Sequence, residues 1–180
     1  MKMISDEALM MKVRSGDTGK MSLLFERFNI PIYNFFLKFI GDKEISQDLT
    51  QNVFYRILKY NHSFKEGASF KTWIYQIARN VRIDHYKKYK IYSSSLNTDN
   101  INEINLTENH DPIEKSEEIL LIQKALRKMP EDKKEIIVLS QFQELRYKEI
   151  AEILNITENT ARVKVHRAIK ELSVLYKMLV

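Results

Sequence analysis

The feature that most narrows what this chain can fold into lies at residues 146–172, RYKEIAEILNITENTARVKVHRAIKEL. Two short stretches with apolar residues at helical spacing flank Asn155, a residue type suited to a left-handed turn position, and the second stretch is basic. Ile150, Ala151 and Leu154 share one face of the first predicted helix. Ile156 is placed to plug the angle between the helices, and Thr157 to cap the second. Along that second helix Ala161, Val165, Ala168 and Leu172 form an apolar stripe, while Arg162, Val163, His166, Arg167 and Lys170 fall on the opposite face. The pattern is a helix-turn-helix, and a cationic outer face is what a helix lying against phosphates and base edges in a major groove requires. On these residues alone, a solvated basic helix in an ordinary bundle stays open as the other reading.

Charge along the chain adds a second constraint. The net formal charge is +5, but it is unevenly spread: residues 1–90 carry +7, residues 91–118 carry −6 and residues 119–180 carry +4. Two basic blocks separated by an acidic bridge fit two surfaces that meet a polyanion and one segment that avoids it. The chain has no cysteine, which excludes disulfides, thiolate metal sites and cysteine nucleophiles and suits a reducing cytoplasm. The N-terminal stretch has no long apolar run before its first acids, and nothing approaches the roughly 20 apolar residues that span a bilayer. We therefore expect neither export nor membrane insertion.

Read from the N-terminus, the pattern is helical throughout. A first short helix is expected after Ser5, with Asp6 and Glu7 in its first turn and an end near Ser15 and Gly16. Leu24, Phe28, Ile32, Phe35, Phe36 and Phe39 then give a wide apolar face that Gly41 terminates, with Pro31 expected to kink or break the helix. Asp42 can cap the next helix, where Ile45, Leu49, Val53 and Ile57 form a stripe and Asp48, Gln51, Asn52 and Arg56 lie on the other face. Periodicity leaves that polar face equally open to solvation or docking. Residues 61–69, NHSFKEGAS, read as a loop whose Phe64 either folds into the core or offers a stacking surface. The helix at 70–90 buries Trp73 or Ile74, Ile77, Ala78 and Val81 and shows Lys71, Arg79, Asn80, Arg82, Tyr86, Lys87 and Lys88. Rings interleaved with cations suit single-stranded nucleic acid.

Residues 91–112 are rich in Ser, Asn, Thr and acids without a sustained period, and read as a flexible acidic linker. They divide the chain into a domain at 1–90 and a domain at 113–180, giving an all-α architecture of two small helical domains. A helix is expected from Ile113 to just before Pro130, which suits the first helical position of the next.

DLTQNVF at 48–54, FKTWIYQIARN at 70–80 and the final helix-turn-helix, in that order and spacing, resemble the extracytoplasmic-function subfamily of bacterial RNA polymerase sigma factors. The resemblance covers the chain from about Asp6 to Leu172 and is carried by the combination of motifs. It implies a first domain that melts and reads the minus-ten promoter element and a second that reads the minus-thirty-five element. Asp48, Gln51 and Asn52 match the family's docking site on the polymerase clamp, with Asn52 standing where an acid is usual. Asn61, His62, Phe64 and Lys65 match the loop that holds a flipped minus-ten base; Arg79, Asn80, Asp84 and, on the same helix, Lys87 match the surface lying against the opening duplex. Arg162, Val163, Lys164, His166 and Arg167 match the recognition helix, with Val163 standing where a small hydroxyl residue is usual. The implied partners are core RNA polymerase, promoter DNA and an anti-sigma factor.

The expected activity is thus promoter recognition by a cytoplasmic, non-catalytic specificity subunit, with no cofactor, metal or small-molecule substrate. The competing reading is a helix-turn-helix regulator that binds duplex DNA without polymerase. A third class, a metal-dependent phosphohydrolase, draws on the adjacent His110 and Asp111 and the reversed pair Asp84 and His85. It lacks a second ligand cluster on helices.

Overall fold

The computed structural model describes residues 4–95 and 117–180, and side chains within these ranges except at 91–95. The chain divides into two compact units, Met1–Glu108 and Asn109–Val180. Among the described residues every regular element is helical.

The first unit begins with α1, Asp6–Arg14, whose first orphan amides are met by Ser5 Oγ accepting from Ala8 N at 3.2 Å. A short 3₁₀ turn, Thr18–Lys20, leads into α2, Met21–Ile40. Pro31 does not break α2, contrary to expectation: the helix is continuous through it. An interior proline costs about 3 kcal/mol, whereas each large apolar side chain buried returns roughly 1.5–3 kcal/mol. Leu24, Phe28, Ile32, Phe35, Phe36 and Phe39 are all buried on both sides of the proline, so packing outweighs the lost hydrogen bond. Gly41 ends the helix in the left-handed region at φ 75°, where a side chain would be strained.

Asp42 Oδ1 accepts from Ile45 N at 2.8 Å and opens α3, Lys43–Lys59. A 3₁₀ turn, Asn61–Ser63, begins the loop that leads to α4, Phe70–Ser95. The core of this unit is aromatic. Phe35 packs edge-on against Tyr75, with ring centroids 5.9 Å apart, and Phe28 against Phe70 at 5.1 Å. Phe70, Ile74, Tyr75, Ala78 and Val81 of α4 are buried, with Trp73 and the expected Ile77 only half-buried, so the buried stripe includes a tyrosine outside the expected set. α4 also runs past residue 90 to Ser95. The stretch YKIYSSS has neither Gly nor Pro to stop a helix already propagating.

In the second unit, α5 spans Glu117–Lys128, and Pro130 serves as the N-cap of α6, Glu131–Ile137. The expected start of α5 at Ile113 lies outside the described residues. The chain then widens into a π-helical turn, Val138–Phe142, and bends at Glu144, φ 51°, before α7, Tyr147–Leu154. α8 is the long closing helix, Glu158–Lys177. It packs against α5, α6 and α7, so the apolar stripe of α8 is the spine of this unit. Ala161, Val165 and Ala168 are buried at about 1% exposure or less, and Ala125 and Leu126 of α5 are buried in the same unit.

Candidate nucleic-acid and polymerase interface

The polar face of α3 follows directly from its buried stripe. Leu49, Val53, Phe54 and Ile57 turn inward, which leaves Asp48, Gln51 and Asn52 exposed. Arg56, one turn beyond Asn52, is only half-exposed and is held on two edges. Its Nε donates to Asn52 Oδ1 at 2.9 Å, and its Nη2 lies 2.9 Å from Asp84 Oδ2 on α4. A partly exposed ion pair of this kind is worth at most about 1 kcal/mol, so its main effect is to fix the guanidinium between the two helices.

The loop after α3 sits beside that guanidinium. Asn61 Nδ2 donates to Leu58 O and Ser63 Oγ to Tyr60 O, both at 2.8 Å, so these side chains shape the turn. His62 and Lys65 are exposed. Phe64 resolves toward the core: it is 1% exposed, with its ring 5.2 Å from Trp73 and 6.1 Å from Phe70. Its ring is therefore not available for stacking on a base. The loop is short and followed by Phe70 at the start of α4, and burying both rings together excludes more apolar surface than leaving one in water.

Next to this loop lies an open cavity of about 200 Å³, lined by Arg56, Tyr60, Ser63, Trp73, Ile77 and Asn80. It combines two aromatic side chains with a guanidinium, an amide and a hydroxyl. Sequence reasoning placed Asn80 near this function but missed Tyr60 and Trp73 as walls. Trp73 was expected as the alternative to Ile74 in the buried stripe of α4, and Tyr60 falls three residues after Ile57, in phase with the stripe of α3. Lys59 Nζ stands 5.4 Å from the centroid of the Tyr60 ring.

Along α4, Asn80 and Lys87 are exposed and Arg79 half-buried. Arg82, expected on the outer basic face, instead lies 4.1 Å over the Phe39 ring and is half-buried. His85 is half-buried, and desolvation, followed by the charge of Lys88, lowers its pKa below the ordinary histidine value. Exposed Tyr86, Lys87, Lys88 and Tyr89 continue the alternation of rings and cations.

In the second unit, the helix-turn-helix residues fall as the pattern anticipates. Asn155 adopts φ 53°, ψ 51°, and Thr157 Oγ1 accepts from Thr160 N at 3.1 Å. Glu149 closes the other start, accepting from Arg146 N at 2.7 Å. Ile150 and Ala151 are buried together with Ile153, which exchanges places with the half-buried Leu154. Arg162, Val163, Lys164, His166, Arg167 and Lys170 are all exposed on α8. Arg162 is loosely held by Glu158 at 3.8 Å and lies 5.6 Å over Tyr147.

Among the described residues no group of three or more His, Asp or Glu side chains is arranged to hold a metal. Asp84 is paired with Arg56, so it is not half of a ligand pair with His85; His110 and Asp111 lie outside the described residues. No described helix is long and apolar enough to cross a membrane.

Comparison with known proteins accounts for both units. Residues 24–91 match the family model for sigma-70 region 2, and residues 119–172 match that for sigma-70 region 4. The chain is 28% identical over 153 residues to the ECF RNA polymerase sigma factor SigM of Bacillus subtilis, covering 85% of this chain and 93% of that one. It is 28% identical over 167 residues to SigW of the same organism, covering 87% and 88%. Among solved structures, CnrH in complex with the cytosolic domain of CnrY has the same fold, with a TM-score of 0.71 at 18% identity over 96% of this chain and 97% of that one. The sigma factor RpoE in complex with the anti-sigma factor NepR from Bartonella quintana gives 0.71 at 21% identity over 87% and 96%. With both sigma regions present in order on two helical units, the chain belongs to the extracytoplasmic-function sigma factors of bacterial RNA polymerase.

Proposed function

We propose that this sigma factor docks on core polymerase through Asp48, Gln51 and Asn52 of α3 and opens promoters with the surface formed by the loop and α4. The observation that carries the reading is the cavity beside residues 61–65, because its lining combines ring faces with hydrogen-bonding groups. Tyr60 and Trp73 provide ring faces, and Arg56, Ser63 and Asn80 provide hydrogen-bonding groups. Unpaired bases lose a few kcal/mol of stacking, so capturing one of them and coating its strand with His62, Lys65, Asn80 and Lys87 favours the open state without ATP. In this scheme Phe64 anchors the loop, and Asp84 acts through Arg56: its carboxylate would repel phosphates, but pairing neutralises it and aims the guanidinium.

The second unit reads the minus-thirty-five element with the exposed face of α8. Arg162, Lys164 and Arg167 supply phosphate contacts and guanine-reading groups, with His166 and the apolar Val163 beside them. The domains act as a pair, joined by the acidic stretch that follows α4. The chain works in the cytoplasm as a specificity subunit with no catalysis of its own. Its other partner is an anti-sigma factor, a protein of the kind that accompanies RpoE in the solved complex of similar fold.

Run-off transcription on genomic fragments with core RNA polymerase, with and without this protein, tests the reading. Discrete new transcripts are expected, and Asp48→Arg, which reverses charge on an exposed side chain, should abolish them while leaving the fold intact. Absence of transcripts, with salt-sensitive duplex binding by the protein alone, would instead establish a polymerase-independent regulator.

A further inference from the structure

We infer that α1 is a brace for the base-capturing loop and that Glu7 and Arg14 are its positioning residues. The inference rests on the reading of that loop given above. α1 lies ahead of residue 24, where the match to sigma-70 region 2 begins. It is fastened to the unit by the fully buried Leu9, Met10 and Val13 and by an ion pair between Asp6 and Arg27.

Glu7 and Arg14 stand seven residues apart, two helical turns, and so project from the same side of α1. Both reach the loop. Arg14 Nη1 donates to the carbonyl oxygen of Phe64 at 3.0 Å, and Glu7 Oε1 accepts from the backbone N–H of Phe70 at 3.3 Å. The two bonds therefore clasp the segment at its middle and at its end. The second also satisfies an amide at the start of α4 that has no intrahelical acceptor, at the positive end of the helix dipole.

The bonds within the loop and to the end of α3 are all short-range: Ser63 N and Oγ donate to Tyr60 O at 2.9 and 2.8 Å, and Asn61 Nδ2 to Leu58 O at 2.8 Å. Phe64 N donates to Asn61 O at 3.1 Å, Ala68 N to Lys65 O at 3.1 Å, and Gly67 turns the chain at φ 78°. The Arg14 bond falls on the residue next to Ser63, which lines the cavity. A binding constellation needs its groups held to within about 0.5 Å. Releasing the Phe64 carbonyl lets the turn from Tyr60 to Ser63, which its own bonds hold together, shift as one piece relative to Trp73 and Asn80 on α4, even if the Phe64 ring stays buried. α1 thereby sets how well one unpaired base is held.

The test uses holoenzyme assembled from core polymerase and full-length protein, on a promoter found by run-off transcription. Each nucleotide of the minus-ten non-template strand is replaced in turn by an abasic site, and open-complex formation is measured. For the wild type, one position is expected at which loss of the base reduces opening about tenfold, the size of effect that stacking one base on aromatic side chains supports. In Arg14→Met the same abasic substitution should matter much less, because capture is already impaired. Core binding and the unfolding midpoint reported by Trp73 should stay close to wild type. Arg14→Lys, which keeps a donor within reach, should recover part of the penalty, and Glu7→Gln should weaken it in the same direction. An undiminished abasic penalty in both Arg14→Met and Glu7→Gln overturns the brace. A wild-type holoenzyme with no such position overturns the base-capture reading itself, so the two failures are distinct.

Discussion

Phe64 shows most clearly how one residue's role depends on what surrounds it. In sequence it is an aromatic in a polar loop and could serve as core or as a stacking platform. In the fold its ring lies against Trp73 and Phe70 at 1% exposure, so it holds the loop down from inside. Phe64→Ala should therefore destabilise the first unit by about 3–5 kcal/mol, the range for truncating a buried aromatic. Denaturant unfolding followed by the fluorescence of Trp73, the single tryptophan of the chain, measures this directly. A change below about 1 kcal/mol would mean the ring is not a core member. Asn155 is the opposite case, since its left-handed backbone, φ 53°, was legible from residue type and position alone. Arg56 was visible only as one polar residue on a helix face. That it spans Asn52 and Asp84 depends on how α3 and α4 approach each other.

Among the elements, α8 was the most legible and α2 the least. The stripe of α8 has small or β-branched residues at close spacing, and its burial follows from helical geometry once the helix exists. Its cationic face is consequently exposed, and its side chains contribute little to stability. Arg162→Ala should shift the unfolding free energy by no more than about 0.5 kcal/mol, because its partner Glu158 is a loosely placed surface acid at 3.8 Å. If Arg162 reads a base edge, the same substitution should lower holoenzyme affinity by about 1–3 kcal/mol and relax preference at one position of the minus-thirty-five element. Filter binding or run-off assays on a set of single-base promoter variants checks both effects; uniform weakening across the set would assign Arg162 to a phosphate. α2 defeated local reasoning at Pro31, where a sequence rule about hydrogen bonding met a larger packing free energy. The π turn at Val138–Phe142 likewise carried no local signal, because a widened turn depends on what the flanking helices bury.

At the scale of the whole molecule, two small basic units joined by an acidic stretch are expected to bind DNA weakly by themselves. Polymerase would raise the affinity by presenting both units to the promoter at once. Free protein should accordingly bind promoter duplex far more weakly than holoenzyme does. The logarithm of its affinity should fall with the logarithm of salt at a slope of roughly −0.9 per phosphate neutralised, which fluorescence anisotropy across a salt series would show. Tight, sequence-specific binding by the free chain would contradict this picture. The sequence by itself determined the all-helical fold, the two basic regions, the turn at Asn155 and the caps at Ser5, Asp42 and Thr157, because these depend on local spacing, backbone preference and charge, all of which act over a few residues. Only the tertiary structure decided that Phe64 is core, that Arg82 stacks on Phe39, that Tyr60 and Trp73 wall a cavity beside Arg56, and that α1 reaches across to Phe64 and Phe70. Those outcomes are contacts between residues distant in the chain, and their free energies arise only when packing brings the partners together.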